Sequence, residues 1–222
     1  MKRFESKVVL VTGAASGIGR SACERIASEG GSVWCVDVSG DVLDPAQKQA
    51  FQSWLEAGGG WVGIHGSGGD PSYAWRWYVE ELLGAQFVGH PMRPQFQQAT
   101  LLVEDRTHPA TRHLASRWVR TDEWYSFAES PRAQGARVLV RLDESSYRPV
   151  FDLGLYERDL AMGEDHPVVW SHCPGDGRAF YSALGHQASA YAEPAHRELL
   201  EGAIAWAMRR DGGACDRRLA QP

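Results

Sequence analysis

The chain has 222 residues, 43% of them apolar, a formal net charge of -5 and only three lysines, all before residue 49. That is apolar surface enough for one α/β core, and the lack of any basic run excludes a nucleic-acid-binding surface, since phosphate contacts need clustered Lys and Arg. No apolar stretch approaches the roughly 18 residues of a membrane span, and the opening residues lack a signal-peptide core, so a cytoplasmic protein without a membrane partner is expected.

Residues 7–11 form a β-branched, apolar run of the kind buried on both faces of a parallel sheet. A glycine-rich turn with Gly13, Gly17 and Gly19 leads into a helix pattern that Gly30-Gly31 stops, and residues 32–38 read as a second strand with Asp37 near its end. Asp44 as N-cap and Pro45 at the first helical position open the next helix. Its apolar residues Ala46, Ala50, Phe51, Trp54 and Leu55 recur at helical steps up to Gly58. Three glycines then turn the chain into the strand 61–64, which delivers His65 at the carboxyl end, where open α/β sheets bind ligands.

A helix is predicted over 73–83, carrying Trp75, Trp77 and Tyr78. His90 is held extended by Pro91. Strands follow at 98–103 and around 121–127, where Asp122 and Glu123 must face opposite ways, so at most one of them enters a given pocket. Further strands are predicted at 137–142 and 150–153, a site-covering loop at 154–165, and a hairpin of 168–172 and 178–184 about Gly175-Asp176-Gly177. His186 then stands at another strand end. Pro194 opens a last helix whose core stripe is Leu199, Leu200, Ala203, Ile204 and Met208, and residues 211–222 read as a flexible tail. The four cysteines show no CxxC spacing, which predicts reduced, mostly buried thiols.

Two resemblances are carried by these residues. Gly13, Gly17 and Gly19 with Asp37 resemble the nucleotide-binding βαβ opening of short-chain dehydrogenases over residues 7–38. That implies a pyrophosphate at the helix N-terminus and a ribose on Asp37. The Tyr-x-x-x-Lys pair of that family is missing, because no lysine follows Lys48. From about residue 40 to 208 the chain resembles the trehalose-utilisation (ThuA-like) family. The residues that carry this are Gly40-Asp41-Val42-Leu43, the 58–65 stretch, His90-Pro91, Asp122-Glu123-Trp124-Tyr125, His166-Pro167, Trp170, Tyr181 and Leu184-Gly185-His186.

The second resemblance implies a flavodoxin-like, class I glutamine amidotransferase-like three-layer α/β sandwich with a mainly parallel sheet. It implies one domain over 1–210, with residues 1–39 serving as its first strands. In amidotransferases of that fold a cysteine nucleophile follows the strand; here the position is His65-Gly66-Ser67, so glutamine hydrolysis is disfavoured. Catalysis is assigned to His65, His90, Glu123, His166 and His186, all beside Gly or Pro or at predicted strand ends, and sugar contacts to Asp122, Tyr125, Trp170 and Tyr181. The expected reaction is His-mediated acid/base chemistry, such as isomerisation, on a keto-sugar or disaccharide supplied by a partner sugar dehydrogenase. A non-catalytic carbohydrate-binding or regulatory domain and an NAD(P)-binding oxidoreductase-like remnant are the alternatives. No His-x-His or His-x-x-x-His spacing marks a metal site and none is assigned, while NAD, a divalent metal and a homo-oligomer stay open.

Overall fold

The computed structural model describes residues 3–5, 7–12, 17–36, 45–210 and 215. They fall into two compact units, Met1–Ser53 and Trp54–Pro222.

In the first unit, strands β1 (Val8–Thr12) and β2 (Ser32–Val36) pair in parallel, with Val9 opposite Val33, and are joined by helix α1 (Gly17–Ser28). This is the predicted βαβ unit. Among the described residues it forms a two-stranded sheet. At the end of α1 the buried Glu29 carboxylate accepts from Arg3 at 2.5 Å and from Arg25, and these bonds lower its pKa to about 2. Gly13, Asp37 and residues 40–44, including the expected N-cap Asp44, lie outside the described residues. Gly17 and Gly19 sit in the first turn of α1.

The second unit begins with the last turn of α2 (Pro45–Glu56), where Leu55 is fully buried. Its main sheet has six strands: β3 (Gly60–Ile64), β5 (Phe96–Val103), β6 (Arg117–Glu123), β8 (Arg137–Asp143), β11 (Pro167–His172) and β12 (Arg178–Ser182), while β4 (Phe87–Gly89) pairs with β7 (Ser126–Phe127) and β9 (Val150–Asp152) with β10 (Glu157–Asp159). The order in the main sheet is β3-β12-β11-β8-β5-β6. Only the β3–β12 pairing is parallel, and the other four are antiparallel. The expected mainly parallel sheet is therefore corrected to a mixed, mostly antiparallel one. The apolar runs of β8 and β11 misled because burial on both faces selects the same residues whichever way the strands run.

β11 and β12 are the predicted hairpin, and Gly175 turns it with a φ of 57°. Helix α3 (Pro194–Ala207) buries Leu199, Leu200, Ala203 and Trp206, but Ile204 of the predicted stripe is exposed. α3 lies so close to β3 that a Cβ on Gly60 would stand 2.3 Å from the Ala207 carbonyl oxygen. The helix expected over 73–83 is mostly a π-helical turn at Tyr78–Leu83, which Gly84 ends in the left-handed region. The expected covering loop contains β10. Cys173 and Cys215 form a disulfide, correcting the expectation of reduced thiols; Cys23 is a buried free thiol.

β3 and β6 are opposite edges of the main sheet by pairing order, yet the residue following β3 is in contact with the last residue of β6. The sheet is thus strongly curled, the accumulated result of strand twist. That curl brings the carboxyl ends of β3, β12 and β6 together.

Candidate functional site

Just beyond β3, His65 has a φ of 45°, a left-handed conformation uncommon for a residue with a side chain. Several bonds hold it there. Its Nδ1–H donates to the Ala183 carbonyl at 2.8 Å, its own carbonyl accepts the Tyr181 hydroxyl at 2.8 Å, and the Tyr125 ring packs 4.2 Å from its imidazole. The following glycines make room: a Cβ on Gly68 would lie 2.6 Å from the Tyr181 ring, and one on Gly69 would lie 2.6 Å from the Tyr125 hydroxyl.

Because a carbonyl only accepts, His65 carries its proton on Nδ1 and turns Nε2 into the site. Nε2 stands 3.0 Å from His186 Nδ1 and 3.1 Å from Glu123 Oε2, and His186 Nδ1 is itself 3.1 Å from the same oxygen. Glu123, the last residue of β6, is 2% exposed. Burial raises its pKa, but the His65 imidazole, the Gln95 amide (2.5 Å to Oε1) and the nearby His90 and His186 outweigh burial and hold it at about 2. His90 Nδ1 lies 3.4 Å from Glu123 Oε1 and 3.1 Å from the Pro91 carbonyl. Tyr125 remains protonated, because burial and the adjacent Glu123 raise its phenol. His186 is exposed and His90 half-buried, so the cluster opens to solvent along one side.

Asp122, 1% exposed, faces the other way. Its Oδ2 accepts the Gly185 N–H at 2.8 Å and its Oδ1 accepts the His186 N–H at 3.1 Å, so it anchors the loop that presents His186. The buried Arg120, two residues back on the same face of β6, pairs with Asp122 at 3.0 Å and donates to His196 Nδ1 at 3.0 Å. A cavity of about 340 Å³ lined by Gln98, Arg120, Asp122, Gln187 and Glu193 lies on this side and does not include His65, His90 or Glu123 in its wall. The candidate site is therefore identified by the converging side chains and not by that cavity.

The curl thus gathers His65, His90, Glu123 and His186, with Tyr125 against them. His166 is elsewhere: fully buried, with Nε2 bonded to the Tyr125 carbonyl at 2.9 Å and Nδ1 to Glu144 at 2.5 Å, it supports Tyr125 from behind. Trp170 is buried in the core with its indole N–H on the Leu83 carbonyl, and Tyr181 reaches the site through its hydroxyl. Gln95 and Arg120 were not picked out by sequence reasoning; Arg120 carried one usable signal, its i,i+2 spacing to Asp122 on a strand. His65, Glu123 and His186 present one ligand atom each, all within 4.8 Å of one another, a set able to hold a metal ion.

A family model described as Trehalose utilisation (ThuA) matches residues 23–207. Among solved structures, a ThuA-like protein of Bacteroides uniformis superposes with a TM-score of 0.70 at 21% identity, covering 96% of each chain. A second, from Parabacteroides merdae, gives 0.59 at 18% identity over 91% of this chain and 90% of that one. Among curated sequences, the 7alpha-hydroxysteroid dehydrogenase of Bacteroides fragilis is 52% identical over 44 residues, which is 20% of this chain and 17% of that enzyme's length. The chain therefore resembles the dehydrogenases over one short segment and the ThuA-like structures almost throughout.

Proposed function

Because the chain belongs to the ThuA (trehalose utilisation) family, we propose that it is a sugar-processing enzyme that moves protons on a keto-sugar or keto-disaccharide at the cluster of His65, His90, Glu123 and His186. One observation carries this: side chains from four separate segments converge, with three of their polar atoms within about 3 Å of one another and His90 alongside. Convergence of this kind from distant segments is how acid/base sites are built.

His90 is the group suited to be the base. Its Nδ1–H is taken by the Pro91 carbonyl, which leaves the lone pair on Nε2. In an isomerisation, Nε2 takes the proton from the carbon beside the carbonyl while the electron pair moves onto the carbonyl oxygen. Return of the proton to the former carbonyl carbon, and passage of a hydroxyl proton to the former carbonyl oxygen, complete the reaction. A partner dehydrogenase would supply the keto group. Incubating the full chain with a keto-disaccharide in D2O and following deuterium entry beside the carbonyl by NMR tests this. His90→Gln should slow entry by about 10²–10⁴-fold with unaltered melting, and unchanged entry overturns the assignment.

A second reading rests on the dehydrogenase match and on Gly17 and Gly19 opening α1: the first unit binds a nicotinamide dinucleotide. Fluorescence titration with NADH decides it, and lack of saturation removes it. Among the described residues no helix is long and apolar enough to cross a membrane. The reading places the protein in the cytoplasm, which cell fractionation would check.

A further inference from the structure

With both imidazoles neutral, the three atoms at the centre of the cluster are too close to be explained by hydrogen bonds alone. His65 Nε2, His186 Nδ1 and Glu123 Oε2 form a nearly equilateral triangle with edges of 3.0, 3.1 and 3.1 Å. Each edge, as a hydrogen bond, needs a proton on one of its ends. As a neutral ring His65 has its proton on Nδ1, committed to Ala183, so its Nε2 then offers only a lone pair. A carboxylate oxygen offers none, and His186 Nδ1 supplies at most one. With both rings neutral, three electron-rich atoms thus face one point with at most one proton among them.

A metal ion resolves this. Imidazole nitrogens and carboxylate oxygens bind first-row ions at about 2.0–2.2 Å, and neighbouring ligands at right angles around an ion at about 2.1 Å are about 3.0 Å apart. The observed edges match that spacing, which is the facial arrangement of two histidines and one carboxylate. Supporting bonds are also in place, as they are around bound metals: Ala183 fixes the His65 ring, Gln95 holds the second Glu123 oxygen, and Asp122 holds the backbone of His186. The exposed His186 leaves a path for the ion to enter.

We propose that His65 Nε2, His186 Nδ1 and Glu123 Oε2 are three ligands of a single divalent first-row transition ion, whose remaining positions accept the adjacent carbonyl and hydroxyl oxygens of a keto-sugar. The ion site stands on the triangle; only the sugar half rests on the function proposed above. Held at both oxygens, a hydroxy-ketone would be chelated beside His90, and the ion would stabilise charge on the carbonyl oxygen.

The test uses the full chain stripped with a chelator and titrated with Co²⁺, followed by visible absorption and calorimetry. One ion per chain is expected. Glu123→Gln and His186→Ala should each weaken binding by more than the roughly 10–100-fold that loss of an outer-shell partner costs. His186 is exposed, so its removal spares the fold, and His113→Gln, away from the cluster, should bind like the parent. Absence of saturable binding, or binding indifferent to His186→Ala, overturns the site. Adding a hydroxy-ketone sugar to the Co²⁺ protein should shift its absorption bands. Unshifted bands with the ion bound overturn the sugar half and leave the metal, whereas deuterium entry catalysed at the full rate by the metal-free chain overturns the metal and leaves the sugar reading.

Discussion

Replacing Asp122 by Asn probes the support beneath His186. The carboxylate is 1% exposed and balances Arg120, 6% exposed, at 3.0 Å. The amide keeps the shape and one acceptor but removes the charge, so one of the N–H groups of Gly185 and His186 loses its partner and Arg120 is left with Glu193 at 3.5 Å and the neutral His196. Breaking a buried pair on one side costs about 3–5 kcal/mol, a large part of the roughly 5–15 kcal/mol that holds a domain folded. For a unit of this size each kcal/mol moves the melting point by about 2–4 °C, so a fall of about 6–20 °C is expected. Urea unfolding followed by tryptophan fluorescence is the assay, with Trp118 reporting locally because the Arg120 guanidinium lies 4.8 Å from its ring. Combining Asp122→Asn with Arg120→Met removes the stranded cation and should recover about 0.5–3 kcal/mol relative to the sum of the single changes. Co²⁺ affinity should fall about tenfold in Asp122→Asn, the cost of an outer-shell change. A loss under about 1 kcal/mol, or strict additivity in the double variant, refutes the reasoning.

Tyr181→Phe leaves the buried His65 carbonyl without its hydroxyl donor, and should cost about 1–3 kcal/mol in thermal or urea unfolding; an unchanged midpoint would show that the bond contributes nothing. His196 is fully buried, its pKa lowered to about 4 by burial and then by Arg120, with Asp122 opposing; the ring of Tyr191 and the carboxylate of Glu193 also border this pair. Since the folded pKa lies below the ordinary 6.5, its contribution is complete above pH 6.5 and is lost as the pH falls towards 4, by up to about 3 kcal/mol. His196→Gln should flatten that part of the stability curve, and parallel curves would count against it. Cys215→Ser, or reduction by dithiothreitol, opens a loop spanning 42 residues and should cost about 4 kcal/mol; a melting point indifferent to reductant would contradict this.

Some of this was legible in the sequence and some was not, for identifiable reasons. α3 announced itself through Pro194 and the spacing of Leu199, Leu200 and Ala203, and the β11–β12 hairpin through Gly175-Asp176-Gly177. Strand direction was hidden because the apolar runs of β8 and β11 look alike in either sense. The histidines were legible by position, at strand ends beside small residues. Yet His166-Pro167 carries the same local signature as His90-Pro91 and lies under Tyr125 instead, since flanking residues do not say which way a ring turns. The Cys173–Cys215 pair, 42 residues apart, and the Ala183 carbonyl that fixes the His65 tautomer leave no trace in local pattern.

The curl of the sheet has a kinetic consequence. Its two edges supply His65 and Glu123, 58 residues apart, while His186 arrives 63 residues beyond Glu123. Contacts of such range form only after long loops have closed, so the triangle is assembled near the end of refolding. A cobalt chromophore there would act as a clock for sheet closure, lighting up only once β3 and β6 have met.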